Sequence, residues 1–472
     1  MFVGRKKELE TLNKSYIRGD FQFPVIYGRR RVGKTTLINE FCKNKKTIFF
    51  VAVQSTAKEN LEIFSHQILE AMAPDMPRNP FASFREAIEF IFNRAKSERI
   101  ILVIDEYPYL AQSDAAVSSI LQAAIDKHQT ESKLYLILCG SSMSFMENQV
   151  LGYKSPLYGR RTAQIKLLPF DYLEAGEMLS GFTNEEKLIL YSIISGIPEY
   201  LFRINNDLSV KENVKNLFFD PVGRLFEEPT NLLKQELKMP ETYNAIIAAI
   251  AGGSSKINEI ATNVGIETSQ CSKMLSTLIS LGLLRKEIPV TETKSKKTLY
   301  KLNDWMFIFW YRFVLPDISR IVAGLGDVVC DEIFKEHINS HTGRAFEECA
   351  MQYMWLEQKA GNAPIGFKKI GRWWGNNPKE RREEEIDLIA ISDDDAIFCE
   401  CKWTNSKIGE DTLNELIRKA GMFTEFKTIR YIIFSKSGFT KALINKANEC
   451  ADISLVDVDM MFGNKNRKIR IN

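Results

Sequence analysis

The sequence lacks the signals of secreted, zinc-ribbon and membrane proteins. Its 472 residues include eight cysteines but no C-x-x-C pair, so neither a disulfide framework nor a zinc ribbon is indicated. The most apolar segment, Trp305–Leu315, is too short to span a membrane and carries Arg312. The N-terminal sequence MFVGRKKELE contains no apolar run of the kind that signal peptides have. We therefore expect a cytoplasmic protein without a membrane partner.

The sequence also has few histidines and a small net charge. Only four histidines occur, and although His337 and His341 are four residues apart, Ile338 stands where a zinc-protease motif requires glutamate. The net charge is +3, so binding of nucleic acid would have to rest on local basic patches rather than on the overall field. The length and the 45% share of hydrophobic residues predict a globular protein of about three domains.

The clearest motif lies in Phe23–Thr36, which reads FPVIYGRRRVGKTT. A short apolar run precedes a loop of the form G-x-x-x-x-G-K-[ST], and a helix is expected to follow. Two glycines let the backbone wrap around an anion, the lysine neutralises phosphate oxygens, and the hydroxyl is a ligand for Mg²⁺. We predict that the chain binds ATP, with Lys34 also acting in catalysis and Thr35 as a metal ligand. The predicted nucleotide-binding residues of the loop are Gly28, Arg29, Arg30, Arg31, Val32, Gly33, Lys34, Thr35 and Thr36.

A second motif ends the apolar run Ile100–Glu106, which reads IILVIDE. A buried parallel strand would deliver its two carboxylates to the carboxyl edge of a sheet. Asp105 is expected to hold Mg²⁺ through water, and Glu106 to orient and deprotonate the attacking water. A strand end with a solvated turn is the alternative. The spacing of about 70 residues from the phosphate loop favours the functional interpretation.

Two further sites follow later strands. Leu134–Cys139 is a third apolar run, and Ser141 after it can contact the γ-phosphate, although a helix cap in this segment is equally favoured. Arg160 and Arg161 precede another strand. Paired arginines there can reach a γ-phosphate within the chain or across the subunit interface of an oligomer. A surface pair is the alternative.

Residues 236–303 combine three helices with a β-hairpin. The helices are expected at Pro240–Ala251, Lys256–Asn263 and Thr268–Leu281, and two β-like runs with a lysine-rich tip follow. This order is the signature of a winged helix-turn-helix, whose third helix meets base edges. Between residues 285 and 301 there are six basic residues and two acidic ones, which suits contacts with the phosphates of duplex DNA. A lid or a protein-contact module is the alternative.

Residues 304–472 are expected to form an α/β domain with charged residues on adjacent strands. Asp387 interrupts EIDLIAI, and Glu400 and Lys402 interrupt IFCECKW, which is the D…E-x-K arrangement of PD-(D/E)XK nucleases. Asp387 and Glu400 would share Mg²⁺ or Mn²⁺, and Lys402 would position or polarise the water beside the scissile phosphate. Glu347, on the preceding helix, would complete the metal site. The bare pattern arises by chance in most chains of this length, and an edge strand with one polar face is the alternative.

Six segments occur in the order VGRKKEL, YGRRRVGKT, IDE, CGSSMSFM, SPLYGRR and SGIPEYL. Together they resemble the archaeal-type ATPase family, which belongs to the AAA+/STAND branch of P-loop NTPases. The resemblance implies a five-stranded parallel sheet with a helical lid, in which Gly196–Pro198 lie near the nucleotide. It also implies a winged helix followed by a nuclease-like domain, matched by GRAFE, EIDLIA and ECKW. One departure is Ile386, since no proline precedes Asp387.

We therefore expect an α/β protein with three parts. They are a P-loop NTPase parallel sheet with a helical lid (residues 1–235), a winged helix-turn-helix (236–303) and an α/β restriction-endonuclease-like domain (304–472). The predicted function is ATP binding and hydrolysis coupled to an action on DNA, with a metal-dependent endonuclease in the last part. The alternative is a STAND-like, nucleotide-gated switch for protein interactions, in which the nuclease-like domain is catalytically silent.

Overall fold

The computed structural model describes residues 2–74, 79–293, 295, 297–377 and 380–463. The chain divides into two compact units. Unit 1 comprises the residues up to Pro169 together with Ile197–Glu199, and unit 2 comprises Phe170–Gly196 and the chain from Tyr200 onwards. Within the described ranges, no helix combines the length and the apolar character that a membrane span needs.

Unit 1 contains one sheet and the helices around it. Its strands are β1 (Pro24–Tyr27), β2 (Thr47–Val51), β3 (Ile100–Asp105), β4 (Leu134–Gly140) and β5 (Ala163–Lys166). Its helices are α1 (Lys6–Ile17), α2 (Lys34–Cys42), α3 (Ala57–Met72), α4 (Phe84–Arg94), α5 (Tyr107–Ser113), α6 (Val117–His128) and α7 (Met143–Phe145), the last continued by a π-helical turn at Met146–Val150.

The sheet of unit 1 is parallel, with the strand order β2-β3-β4-β1-β5. Every residue of β1, β3 and β4 is buried, because continuous apolar strands of a parallel sheet are covered by helices on both faces. Since all five strands run the same way, the loops after β1, β3 and β4 meet at one edge. The predicted P-loop NTPase fold is confirmed.

Unit 2 begins with helices and ends in a second sheet. Its helices are α8 (Tyr172–Met178), α9 (Asn184–Ile194), α10 (Pro198–Leu201, which starts in unit 1), α11 (Val210–Phe218), α12 (Glu228–Glu236), α13 (Pro240–Ala251), α14 (Ile257–Val264), α15 (Thr268–Ser280), α16 (Trp305–Phe309), α17 (Ile318–Arg320), α18 (Gly326–Glu336), α19 (Ile338–Ala360), α20 (Glu410–Ala420), α21 (Lys441–Glu449) and α22 (Val458–Met461). Further turns of π- or 3₁₀-helix are Trp310–Val314, Leu315–Asp317 and Ile321–Leu325. Its strands are β6 (Leu284–Glu287), β7 (Leu299–Leu302), β8 (Lys369–Asn377), β9 (Arg382–Ile391), β10 (Asp395–Lys402), β11 (Thr428–Ser435) and β12 (Ile453–Asp457).

The second sheet is mixed, with the strand order β12-β11-β10-β9-β8. Strands β10, β11 and β12 are parallel, whereas β9 and β8 are antiparallel to their neighbours. A β-bulge interrupts the pairing of β8 with β9 between Gly371 and Trp373. The bulge shifts the side-chain alternation of β9, so that Ile386 and Ile389 both belong to the same apolar core.

Helices α13, α14 and α15 precede an antiparallel ribbon of β6 and β7, the order of elements that the sequence predicted. We call residues 284–302 the hairpin. Its connection packs on the second sheet, where the Val290 amide donates to the carbonyl oxygen of Arg372 at 3.0 Å. Val290 is also part of the apolar core of that sheet. The hairpin therefore contacts β8, the edge strand.

The boundary between the two compact units lies near residue 170, whereas the sequence predicted the end of the ATPase domain near residue 235. Within unit 2, α9 packs on α19, and the Nε2 atom of buried His341 donates to the carbonyl oxygen of Ser192 at 2.7 Å. The Tyr172 hydroxyl donates to the carbonyl oxygen of Met461 at 2.7 Å. Burial lowers the pKa of His341 to about 3, so its imidazole is neutral. These contacts attach residues 170–196 to the C-terminal part of the chain. The sequence did not predict this, because the apolar face of a helix does not show which partner covers it.

Candidate functional site

The loop between β1 and α2 has the backbone geometry that anion binding requires. Gly33 has a φ of +88° immediately before α2, a conformation that favours glycine. Gly28 leaves no room for a side chain, because a Cβ there would lie 2.4 Å from the carbonyl oxygen of Leu167. Helix α2 begins at Lys34, so its first backbone amides face the loop and can donate to a phosphate.

The side chain of Lys34 is buried and crosses this loop. Its Nζ donates to the carbonyl oxygens of Gly28 and Arg29, at 3.0 and 3.1 Å. Burial lowers the pKa of Lys34, an effect opposed by neighbouring acidic groups that include Glu106 and Asp105. A phosphate would offer charged oxygens in place of these neutral carbonyls, so the lysine suits the role predicted for it.

The predicted magnesium and water-activating residues form a connected set. The Thr35 hydroxyl donates to Asp105 Oδ2 at 2.8 Å, and the Glu106 backbone amide donates to Asp105 Oδ1 at 2.9 Å. Ser141 donates to Glu106 Oε2 through its hydroxyl at 2.9 Å and its amide at 3.3 Å. The structure thus brings these four residues together at the carboxyl edge of the sheet. Their oxygen ligands fit Mg²⁺ bound with a nucleoside triphosphate.

Two arginines of the loop have partners that the sequence did not reveal. Arg30 Nη2 donates to the Tyr109 hydroxyl at 3.0 Å. Arg31 has a φ of +68°, and its Nη1 lies 3.9 Å from Glu199 Oε2. No local motif marks Tyr109 or Glu199, because each is brought to the loop by a different part of the chain. Arg29, like its two neighbours, is half-buried.

The remaining loop positions differ in exposure. Val32 is buried, and its carbonyl oxygen accepts a hydrogen bond of 3.0 Å from Arg5. Thr36 is exposed on the first turn of α2. Pro198 lies beside the loop, since its Cγ would be 3.8 Å from a Cβ placed on Gly33. This is the position that the SGIPEYL segment was expected to take.

Arg160 and Arg161 are not near the phosphate loop within their own chain. Both precede β5, and β5 runs parallel to β1, so they lie at the amino edge of the sheet while the loop lies at the carboxyl edge. Arg160 instead forms a bidentate pair with Asp126, at 2.7 Å for both contacts. The alternative in which the pair reaches the γ-phosphate within one chain is therefore wrong, and contact across a subunit interface stays a prediction.

In unit 2, the residues of the D…E-x-K pattern lie on neighbouring strands. Asp387 Oδ2 accepts a hydrogen bond of 2.8 Å from the Cys401 amide, which ties β9 to β10. Lys402 Nζ donates to Glu400 Oε1 at 2.5 Å. Burial and the charge of Glu400 raise the pKa of Asp387 to about 6. Burial opposes a rise in the pKa of Lys402, but the Glu400 contact outweighs it and the pKa is raised.

Glu347, on α19, belongs to the same cluster. Burial, followed by the charges of Asp387 and other carboxylates, raises its pKa to about 8. Arg372, which the sequence analysis did not single out, lies 3.4 Å from Glu347 and 3.5 Å from Glu385. Across the described ranges, no group of three or more His, Cys, Asp or Glu side chains has the spacing of a metal site. The carboxylates have suitable chemistry for a divalent ion, and two of them contact cations of the chain.

Residues 236–303, called the middle module below, expose part of the face predicted to contact DNA. On α15, Ser269, Gln270, Ser272 and Lys273 are all exposed. The basic residues of the hairpin are less available than their number suggests. Arg285 pairs with Glu287 and Glu348, Lys297 with Glu292, and Lys301 with Glu287, while Lys294 and Lys296 lie outside the described residues. The local excess of positive charge is therefore a weaker argument for phosphate contacts than the sequence indicated.

Comparison with known proteins decides the family. A family model described as "ATPase domain predominantly from Archaea" matches residues 2–204. The chain is also 36% identical over 418 residues to the uncharacterized protein MJECL04 of Methanocaldococcus jannaschii, covering 86% of this chain and 88% of that protein. The chain belongs to the archaeal ATPase family. Its predicted ATP binding and ATPase activity are thereby supported, and Mg²⁺ is the cation that such ATPases use.

The chain's other similarities are more limited. A model described as "Archaea bacterial proteins of unknown function" matches residues 310–414. The uncharacterized ATP-binding protein MJ0423 of M. jannaschii is 52% identical over 46 residues, covering 10% of this chain and 78% of that protein. The Walker-type ATPase PABY2304 of Pyrococcus abyssi is 19% identical with a TM-score of 0.48, covering 66% of this chain and 96% of that one. The ORC2 protein of Aeropyrum pernix is 14% identical with a TM-score of 0.41, covering 70% and 95%.

Proposed function

We propose that this member of the ATPase family acts on duplex DNA and that its C-terminal domain is a metal-dependent endonuclease. One observation carries the proposal, namely the convergence of Asp387, Glu400 and Lys402 with Glu347 from a separate helix. Ionisable groups crowded into a partly buried cluster are costly for folding, and the cost is commonly tolerated where they serve a function.

The chemistry of the C-terminal cluster suits cleavage of a phosphodiester. Carboxylate oxygens of Asp387, Glu400 and Glu347 would hold Mg²⁺ or Mn²⁺, and such an ion neutralises charge that develops on the phosphate. Lys402 would position or polarise the attacking water, and its raised pKa keeps it cationic. Asp387 is oriented for its role by the Cys401 amide.

The ATPase unit would control how DNA is engaged. Lys34 and the first amides of α2 would hold the β- and γ-phosphates, and Thr35 with Asp105 would hold Mg²⁺. Glu106, fixed by Ser141, would activate water for hydrolysis. Turnover would then reset the conformation after each cycle of nucleotide binding.

Contact with DNA is assigned to the middle module interpreted as a winged helix-turn-helix. The N-terminal end of α15 offers exposed hydroxyl, amide and ammonium groups of the kinds that reach base edges and phosphates. Because several basic side chains of the hairpin pair with carboxylates, α15 would supply the main contact and the hairpin a secondary one.

A second candidate is a STAND-like switch, in which nucleotide binding gates a protein interaction and the C-terminal domain is catalytically silent. A specific observation favours it. Lys402 contacts Glu400, Arg372 contacts Glu347, and the described residues contain no preformed set of three metal ligands. If those internal ion pairs persist, the cluster stabilises the domain rather than cleaving a substrate.

Cleavage of supercoiled and linear duplex DNA tests the proposal. The assay uses Mg²⁺ or Mn²⁺, with and without ATP, and compares the wild type with Asp387→Asn. Asp395→Asn is the matched control, since Asp395 lies at the opposite end of β10. Lys34→Ala separates the ATPase unit from the nuclease, because it should abolish ATP binding without removing any residue of the C-terminal cluster.

The expected result is metal-dependent cleavage that is lost in Asp387→Asn and retained in the Asp395 control. Dependence of cleavage on ATP, lost in Lys34→Ala, would show that unit 1 controls the nuclease. Absence of cleavage by the wild type under every condition would exclude the endonuclease. Shifted DNA mobility would then leave an ATP-gated DNA binder, and absence of both activities would favour the protein-interaction switch.

A further inference from the structure

Arg372 lies at the β-bulge of the second sheet. The bulge between Gly371 and Trp373 leaves Arg372 opposite two residues of β9, Asp387 and Leu388. Bulges re-aim side chains and are frequent beside active sites. Here the bulge places Arg372 beside Asp387 on the neighbouring strand.

The guanidinium of Arg372 lies among carboxylates but forms a short ion pair with none of the three described next. Nε is 3.4 Å from Glu347 Oε2, Nη2 is 3.5 Å from Glu385 Oε2, and Nη1 is 3.8 Å from Glu287 Oε2. A normal charge-assisted hydrogen bond is about 2.7–2.9 Å. Among the described residues, buried Nε of Arg372 has no hydrogen-bond acceptor. The group therefore keeps donor capacity for a ligand with oxygens in this cluster.

Glu287 brings the hairpin to the same cluster. It lies on β6, in the middle module, and its side chain is only 15% exposed. Its Oε1 accepts a hydrogen bond of 2.9 Å from Arg285 Nε, and its Oε2 is 2.9 Å from Lys301 Nζ on the partner strand. These contacts fix Glu287 across the ribbon and present its remaining charge to Arg372.

We propose that Arg372 binds a phosphate group of DNA in the C-terminal site and that Glu287 is its positioning residue. The inference rests on the proposed nuclease function and adds to it a phosphate-binding group and a contribution from the hairpin. Arginine presents a planar fork that matches two oxygens of a phosphate. On binding, Arg372 exchanges its long contacts with Glu347 and Glu385 for short contacts with phosphate oxygens.

The charge around the site explains why such a cation is needed. Glu287, Glu347, Glu385, Asp387 and Glu400 surround it, and unneutralised carboxylates repel the DNA backbone. Lys402 is directed to Glu400 and serves the attacking water in the proposed function. Among the described residues, Arg372 contacts carboxylates of both α19 and β9, namely Glu347 and Glu385. The hairpin contributes to the site, because Glu287 lies 3.8 Å from the guanidinium and the Val290 amide donates to the carbonyl oxygen of Arg372.

The test compares Arg372→Ala, Arg372→Lys, Glu287→Gln and Glu287→Asp with the wild type. Arg430→Ala is the matched control, since Arg430 is a partly exposed arginine of the same sheet that pairs with Asp452 at the far end of β11. Fluorescence anisotropy with a labelled duplex, in EDTA and over a range of salt concentrations, measures binding without cleavage. Cleavage is then measured with Mg²⁺, and thermal melting reports the integrity of each variant.

We expect Arg372→Ala to lower the slope of log affinity against log salt by about 0.9, the loss of one phosphate contact. Arg372→Lys keeps the charge and most of that slope, but it loses the fork and should cleave at least about tenfold more slowly. Glu287→Gln should weaken both readouts less than Arg372→Ala, and Glu287→Asp should restore them. Arg430→Ala should match the wild type.

The outcomes distinguish the inference from the function on which it rests. If the wild type cleaves DNA and Arg372→Ala has the same salt slope of binding and the same cleavage rate, the inference is overturned and the nuclease function stands. DNA binding that depends on Arg372 without any cleavage supports the phosphate-binding role and excludes the nuclease. Equal loss in Glu287→Gln and Glu287→Asp overturns the positioning role. A wild type that neither binds nor cleaves the duplex overturns both.

Discussion

The hydroxyl of Thr35 donates a hydrogen bond of 2.8 Å to Asp105, which lies 70 residues further along the chain. The contact joins the first turn of α2 to the end of β3, the two elements that converge on the phosphate loop. A hydroxyl and a carboxylate so placed offer adjacent oxygens to one Mg²⁺. We therefore expect Thr35 and Asp105 to hold the Mg²⁺ that accompanies the nucleotide.

Thr35→Val should remove the magnesium-dependent part of ATP affinity, because valine has nearly the same shape without the hydroxyl. Isothermal titration with ATP, in Mg²⁺ and in EDTA, should show a loss of at least about tenfold in Mg²⁺ and a small change in EDTA. Thr35→Ser is the control and should retain the affinity. Equal losses in both buffers would indicate damage to the loop rather than to the metal site.

Glu106→Gln should bind ATP but hydrolyse it at least about 100-fold more slowly, since the amide cannot accept the proton of the attacking water. The Gln side chain keeps an oxygen that can accept from Ser141, so the local geometry should persist. Steady-state phosphate release measures turnover, and a fluorescent ATP analogue measures binding. Glu98→Gln, at a surface pair with Lys46, should leave both unchanged. Undiminished turnover in Glu106→Gln would remove Glu106 from catalysis.

Glu347→Gln should stabilise unit 2 at high pH. The native carboxyl has a pKa of about 8 against an ordinary value of 4.5, so between these values the folded chain holds a proton that the unfolded chain releases. Stability therefore falls as pH rises through this window. The variant, which mimics the neutral acid, should exceed the wild type at pH 8 by on the order of 4 kcal/mol and match it near pH 4.5.

Urea denaturation followed by tryptophan fluorescence measures this effect, because all six tryptophans lie in unit 2. Glu449→Gln, at the end of α21, is the control and should show the pH profile of the wild type. A constant difference between Glu347→Gln and the wild type at every pH would contradict the raised pKa. Addition of Mg²⁺ should stabilise the wild type at pH 8 more than the variant.

His341 should make unit 2 sensitive to acid. Its pKa is about 3 in the folded chain and ordinarily 6.5, so below pH 6.5 the unfolded chain binds a proton that the folded chain excludes. Stability then falls as pH drops from 6.5 toward 3. His341→Gln keeps a donor for the Ser192 carbonyl and should flatten this part of the profile. His66→Gln, at an exposed histidine, should not change it, and an unchanged profile in His341→Gln would contradict the assignment.

The parts of the fold that sequence could predict are those with local signals. Strands β3 and β4 are continuous apolar runs, and the phosphate loop has fixed spacing, so the convergence of Lys34, Asp105 and Glu106 followed from parallel-strand geometry. The same geometry argues against Arg160 reaching the loop in its own chain, because residues that precede a parallel strand lie at its amino edge.

The features that sequence could not predict depend on contacts between distant segments. Arg372 acquires its position from a bulge, and Glu287 reaches it only because the hairpin packs on β8. Neither residue has a motif, and the spacing between them is set by tertiary packing. The attachment of α9 to α19 is similar, since apolar faces can be covered by many partners.

The contact between Val290 and β8 has a practical consequence for dissecting the protein. An outer strand with unpaired amides and carbonyls can pair with a strand of another chain. The hairpin covers part of the outer strand β8 and so limits such pairing. A fragment that starts at residue 304 would carry the whole mixed sheet but lose this cover and the apolar anchor of Val290. Such a fragment should self-associate, whereas one that starts at Phe170, and so also keeps α9 against α19, should remain monodisperse at the same concentration.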